Sequence, residues 1–134
     1  MLPTKTGCLF IGWKILLILF NCKDKTTLRG VLSVGWHPHL IDLCVWLLDR
    51  YNGNIVLTCA YEDRDYASTH SVDPLRAFDI RSWALEDPQA VTDNINQHWK
   101  YDPDRTEMNV AIYHDVGRGK HIHLQVHDNT MEVL

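Results

Sequence analysis

Two stretches of this chain, more than forty residues apart, hold the side chains best equipped for chemistry. The first runs from Ser68-Thr69-His70 to Arg76-Ala77-Phe78-Asp79, and the second is His121-Ile122-His123. Together they supply two imidazoles and a carboxylate, donors of the kinds zinc accepts, with one further imidazole beside them. Three protein ligands leave a fourth position open, which is the inventory of a hydrolytic zinc site. Zinc in such a set lowers the pKa of water toward ~7 and polarises a carbonyl, and a neighbouring imidazole can exchange protons near neutrality.

Those residues need elements to position them. Side chains alternate across a strand, so over Lys120 to His127 the residues Ile122, Leu124 and Val126 share one face. His121, His123, Gln125 and His127 share the other. Asp79 falls in an expected strand, Ala77 to Arg81, between apolar neighbours, where a carboxylate is costly to bury unless something pairs it. A metal would do so, and so would Arg76 or Arg81. His70 arrives on a polar loop, Glu62 to Pro74, after a central strand from Asn54 to Tyr61.

The remaining pattern completes an α+β domain with a mainly antiparallel sheet. Thr26 to Val34 is rich in β-branched and apolar residues and reads as a strand ended by Gly35. Pro38 opens a helix from about His37 to Tyr51, apolar over much of its circumference and therefore central. Asp87-Pro88 starts a second helix, with Val91, Ile95 and Trp99 on one face, ending near Tyr101. Asn109 to His114 is a strand, followed by a turn containing Gly117 and Gly119. The expected order is β-α-β-β-α-β-β.

Composition narrows the class. A length of 134 residues with 46% hydrophobic content suits one domain over 1–134 with one core. A net charge of -4 and a pI near 6.0 argue against nucleic acid, whose phosphates need a basic surface. Cys8, Cys22, Cys44 and Cys59 form no Cys-x-x-Cys pair, which excludes a cysteine zinc knuckle and points to buried free thiols. The apolar segment within residues 1–25, Cys8 to Phe20, is interrupted by Lys14 and falls short of the roughly 20 residues that cross a bilayer. No small-residue cleavage site follows it, so it is expected to form buried strand rather than an export signal.

With these residues in place, the chain resembles the zinc peptidases that group D-alanyl-D-alanine carboxypeptidases, lysostaphin-type endopeptidases and the hedgehog signalling domain. Their pattern is Ser-x-His, then Gly-x-Ala-x-Asp, then a late histidine at the end of a strand. Ser68-Thr69-His70, Ala77-Phe78-Asp79 and His121-Ile122-His123 match it, and the element order agrees from Trp36 to His127. The resemblance implies a Zn2+ site made by His70, Asp79 and His123, with His121 beside the metal as the catalytic group. It further implies a peptide or amide bond of peptidoglycan as substrate, as in phage lysis or tail-associated enzymes, with Arg64 or Arg76 holding a substrate carboxylate. A noncatalytic zinc-binding or interaction domain of the same fold is the alternative.

The match has departures. The loop between His70 and Asp79 is longer than the family's by two residues and includes Pro74, and Leu75 or Arg76 stands where the family has glycine. The carboxypeptidase branch places a catalytic acid three residues before the last ligand, where this chain has Lys120. Among the other histidines, His114 is the reserve candidate for catalysis. His37 and His39 are expected on diverging sides of a helix start, and His127 lies two strand steps beyond His123.

Overall fold

The computed structural model describes residues 20–51 and 55–133. The elements are β1 (Phe20–Cys22), α1 (Lys25–Ser33), α2 (Pro38–Arg50), β2 (Ile55–Cys59), β3 (Ala77–Arg81), α3 (Pro88–His98), β4 (Trp99–Lys100), β5 (Ala111–Asp115), β6 (Lys120–Gln125) and β7 (Met131–Glu132). Five strands form one sheet in the order β1-β2-β3-β6-β5, and β4 pairs with β7 separately. β1 runs parallel to β2, and the other pairings in the large sheet are antiparallel. The fold is therefore α+β on a mostly antiparallel mixed sheet. Most of the N-terminal apolar segment lies outside the described residues. Among those described, no helix is long and apolar enough to cross a membrane.

The inward face of the sheet is built from fully buried Ile55, Leu57, Phe78, Ile80, Ile122 and Leu124. Leu40, Leu43 and Leu47 of α2 and Ile95 of α3, also at 0% exposure, join these strands in one cluster. Each such side chain contributes roughly 1.5–3 kcal/mol by leaving water, so α2 is held mainly by its leucine stripe. Both helices start as their sequences dictate, with proline in the first turn behind a capping side chain, His37 for α2 and Asp87 for α3.

The segment Thr26 to Val34, expected as a strand, is instead mostly the helix α1. Asp24 caps it: its carboxylate accepts hydrogen bonds from the Thr27 amide at 2.8 Å and the Thr27 hydroxyl at 2.9 Å. Tertiary packing then overrides β-propensity. Thr27 and Gly30 are buried, and the Thr27 hydroxyl also reaches the Thr58 carbonyl at 3.3 Å. A Cβ at Gly30 would lie 2.5 Å from the Tyr61 carbonyl oxygen, so the close approach of α1 to the end of β2 requires glycine.

Candidate metal centre

Pairing register lays out the site. On the sheet face turned away from the core cluster, Cys59 of β2 pairs with Asp79 of β3, Asp79 with His123 of β6, and His123 with Ile112 of β5. The next row is Arg81, His121 and His114. Asp79 and His123 are thus direct cross-strand neighbours, and His121 stands two residues along the same face. The alternation expected over Lys120 to His127 holds: Ile122, Leu124 and Val126 are at 0% exposure while His121, His123 and His127 are half-buried.

His70 comes from the loop after β2. Its amide donates to the Ser68 hydroxyl at 3.1 Å, and its carbonyl accepts from the Glu62 amide at 2.9 Å. The same hydroxyl accepts from Arg64 at 2.9 Å, which explains locally why serine stands two residues before the histidine. The ring is buried, with Nδ1 2.9 Å from the Ala60 carbonyl oxygen. That oxygen only accepts, so Nδ1 carries the hydrogen and a neutral ring keeps its lone pair at Nε2.

Three donor atoms converge there. His70 Nε2 lies 3.2 Å from Asp79 Oδ1 and 3.2 Å from His123 Nδ1, and His123 Nδ1 lies 2.9 Å from Asp79 Oδ1. A point roughly 2.0–2.1 Å from all three exists about 1 Å off their plane, within the distances at which zinc holds nitrogen and oxygen. The lone pair of a neutral His70 faces a carboxylate oxygen, an arrangement that repels unless a cation or a proton lies between. Burial alone would push the Asp79 carboxyl up; with His123 and His70 protonated toward it, their hydrogen bonds and charge outweigh burial and hold it well below the usual carboxylate range.

Cys59 adds a donor that the sequence did not mark. Ligand atoms of Cys59, His70 and Asp79 lie within 4.8 Å of one another, with Cys59 and His70 buried and Asp79 half-buried, close enough to bind a metal ion. The thiol touches the other nitrogen of the His70 ring, with Sγ 3.5 Å from Nδ1. Burial, then the charges of Asp79 and Glu62, push this thiol up to about 12. Cys22, Cys44 and Cys59 are free, and the latter two are buried, as expected of free thiols.

His121 sits with Nε2 3.6 Å from Asp79 Oδ2, while its Nδ1 donates to the Gly119 carbonyl at 3.1 Å. Its ring lies 4.8 Å from that of His114, whose ring is 6.0 Å from His123. Burial first, then His121 and His123, push His114 below an ordinary imidazole. These residues line a cleft of about 450 Å³ that also holds Arg64, Tyr66 and Arg118. Arg64, Tyr66 and Arg118 border a second cleft of about 910 Å³ against α1, so the two spaces meet along one wall.

The arginines divide differently from the expectation. Arg64 reaches the cleft but is bound to Glu62 at 2.6 Å; burial opposes both charges, and their pairing outweighs it, lowering the Glu62 carboxyl and raising the guanidinium. Arg76 is not among the residues lining the cleft, and its charge acts on Asp128 instead. Neither Arg76 nor Arg81 pairs with Asp79; Arg81 stacks on Trp83 at 4.4 Å. Arg118, which the sequence reading passed over, extends from the turn between β5 and β6, 70% exposed and 3.9 Å from Glu62. That turn needs its glycines, since Gly117 and Gly119 have φ of 97° and 89°. Lys120 lies with Nζ 5.0 Å from the Tyr113 ring centroid.

His37 and His39 do not diverge. Because the His37 ring folds back to accept the His39 amide at 3.1 Å, both rings meet Asp128: His37 Nε2 at 3.0 Å from Oδ1, His39 Nε2 at 3.2 Å from the carbonyl. His127 stands against Tyr101, with ring centroids 5.5 Å apart. Comparison with protein-family models, curated proteins and solved structures finds no match for this chain. What the structure establishes is an α+β fold with a cluster of side chains able to bind a metal ion.

Proposed function

We propose that this chain is a zinc-dependent hydrolase in which His70, Asp79 and His123 hold the metal and His121 is the catalytic group. The single observation that carries the reading is the triangle of His70 Nε2, Asp79 Oδ1 and His123 Nδ1, 2.9 to 3.2 Å on its edges, at the floor of an open cleft. Zinc bound there supplies Lewis acidity toward water and a carbonyl. The chain supplies proton handling. With Nδ1 committed to the Gly119 carbonyl, His121 accepts a proton at Nε2, and Asp79 Oδ2 stabilises the imidazolium that forms. His114, neutral beside it, is the second imidazole able to pass a proton on.

The resemblance of Ser68-x-His70, Ala77-x-Asp79 and His121-x-His123 to the D-alanyl-D-alanine carboxypeptidase, lysostaphin and hedgehog group supplies the substrate class, a peptide or amide bond in peptidoglycan. The metal cleft and its neighbour, which share Arg64, Tyr66 and Arg118 as lining, give a peptide room beyond the metal, and the exposed Arg118, paired with Glu62 only at 3.9 Å, offers a cation for a substrate carboxylate. One observation favours the noncatalytic alternative. Lys120 replaces the family's acid, and Asp79 is the only carboxylate among the described residues that line the metal cleft.

Metal analysis of protein purified without added zinc tests the centre: about one zinc per chain is expected, lost in His123→Ala. A wild-type chain with no zinc refutes it. Release of new amino groups from purified cell walls tests the activity. It is expected from the wild type and lost in His121→Ala while zinc stays bound. A zinc-loaded wild type that releases none supports the noncatalytic reading.

A further inference from the structure

We infer that Gln125 is a positioning residue of this centre, whose amide oxygen fixes His123 in the tautomer that turns its lone pair toward His70 and Asp79. The inference rests on the reading of the triad as a zinc site. His123 Nε2 lies 3.2 Å from Gln125 Oε1. Which end of an amide is oxygen follows from its other contact. Gln125 Nε2 donates to the Asn109 carbonyl at 2.9 Å, and since a carbonyl only accepts, the atom facing His123 is the oxygen. An oxygen at that position requires a hydrogen on Nε2 of the ring. A neutral His123 then carries its lone pair on Nδ1, the atom 2.9 Å from Asp79 Oδ1.

The support is rigid. Gln125 is 7% exposed, pairs with Ala77 across β3 and β6, and donates its own amide to the Val110 carbonyl at 2.9 Å. A buried amide with both ends satisfied resists rotation, because turning it would orphan two polar groups. His70 receives the same service from the main chain, through the Ala60 carbonyl, which no substitution removes. Gln125 is the arm of the centre that mutation can reach.

The choice of amide also tunes the metal. A carboxylate on the outer nitrogen makes an imidazole ligand more basic. A neutral amide leaves Asp79 as the one negative charge contributed by the three ligands, which preserves the electrophilic character a hydrolytic metal needs.

The test uses the full chain with Gln125→Met, which removes both amide contacts at similar length, and Gln125→Glu, which keeps an acceptor. Zinc affinity is read by competition with a chromophoric chelator, and the His123 tautomer by nitrogen-15 shifts of metal-free protein under alkaline conditions. Gln125→Met is expected to bind zinc about 10- to 100-fold more weakly and to move the ring hydrogen toward Nδ1. Gln125→Glu keeps the acceptor toward His123 but sets a carboxylate oxygen against the Asn109 carbonyl, so it is expected to keep the Nε2 hydrogen at some cost in stability and to bind zinc more tightly than Gln125→Met. Wild-type affinity and tautomer in Gln125→Met overturn the inference alone, as does loss of the Nε2 hydrogen in Gln125→Glu. A wild-type chain that binds no zinc overturns the metal reading and the inference with it.

Discussion

Replacing Cys59 by alanine separates the two donor sets that share His70. One ion cannot use both nitrogens of an imidazole, because their lone pairs diverge in the ring plane. With the metal at Nε2, alongside Asp79 and His123, Cys59 stays a protonated thiol against Nδ1 and contributes packing. With the metal at Nδ1, Cys59 becomes a ligand and the Ala60 carbonyl must release the ring. The second arrangement starts at a disadvantage. Giving up the hydrogen bond costs about 1 kcal/mol, and raising the thiol from 9.0 to about 12 adds about 4 kcal/mol to forming the thiolate that zinc requires. At roughly 1.4 kcal/mol per decade, that is more than a thousandfold in relative occupancy. Cys59→Ala is therefore expected to retain one zinc per chain with Kd changed by less than about threefold, at a packing cost of about 1 kcal/mol. His123→Ala is expected to lose the metal. Chelator competition measures both, and cobalt substitution reports sulfur ligation directly, since a thiolate ligand gives an intense charge-transfer band. A Cys59→Ala protein without zinc, or a cobalt protein with that band, would refute the assignment.

Gly30→Ala sets two effects of opposite sign against each other. Helix propensity favours alanine by about 1 kcal/mol, but the new Cβ would meet the Tyr61 carbonyl oxygen at 2.5 Å, and overpacking against backbone costs about 1–3 kcal/mol. Net destabilisation of about 1 kcal/mol is expected in urea unfolding, and a stabilised variant contradicts the packing. Asp24→Ala, which removes the cap of α1, should lower stability by about 1 kcal/mol in the same assay; no change would mean the cap is not what starts this helix. Arg64→Ala removes the bonds to Glu62 and Ser68 that hold the loop of His70, so zinc affinity is expected to fall. Arg118→Ala should leave zinc affinity and stability unchanged and raise KM; equal effects of the two arginine substitutions on zinc affinity would show that they are not distinct in role.

The parts of the fold legible in sequence were those with a local cause. Alternation placed Ile122, Leu124 and Val126 inside and the histidines outside, and the Pro38 and Asp87-Pro88 signals fixed where two helices start, although α3 ends at His98, three residues before the expected Tyr101, with Trp99 in β4. α1 was misread because Thr26, Thr27 and Val31 favour a strand, while the decision rests on the Asp24 cap and on contact with Thr58 and Tyr61, distant in sequence. The His37 and His39 rings were misjudged because a capping side chain turns back on its own helix.

The site divides along the same line. Residue types and face gave His70, Asp79, His121 and His123, but Cys59 enters through a register shift between Leu57 and Cys59 that sets it opposite Asp79, and no local signal carries such a shift. Because Cys59, Asp79 and His123 stand in one row across three strands, a slip of one residue in either pairing would turn a donor to the core face. The loop of His70 is under a looser constraint. Its ring is located by Ala60 and its main chain by Ser68 and Glu62, all at or before the histidine, so the residues between His70 and Asp79 can lengthen without moving the donor. The longer interval that sets this chain apart from the peptidase pattern therefore falls where the geometry tolerates it. Lys120 departs from that pattern in another way: it stands where the carboxypeptidase branch has an acid, and the uncoordinated imidazoles facing the cleft are His121 and His114.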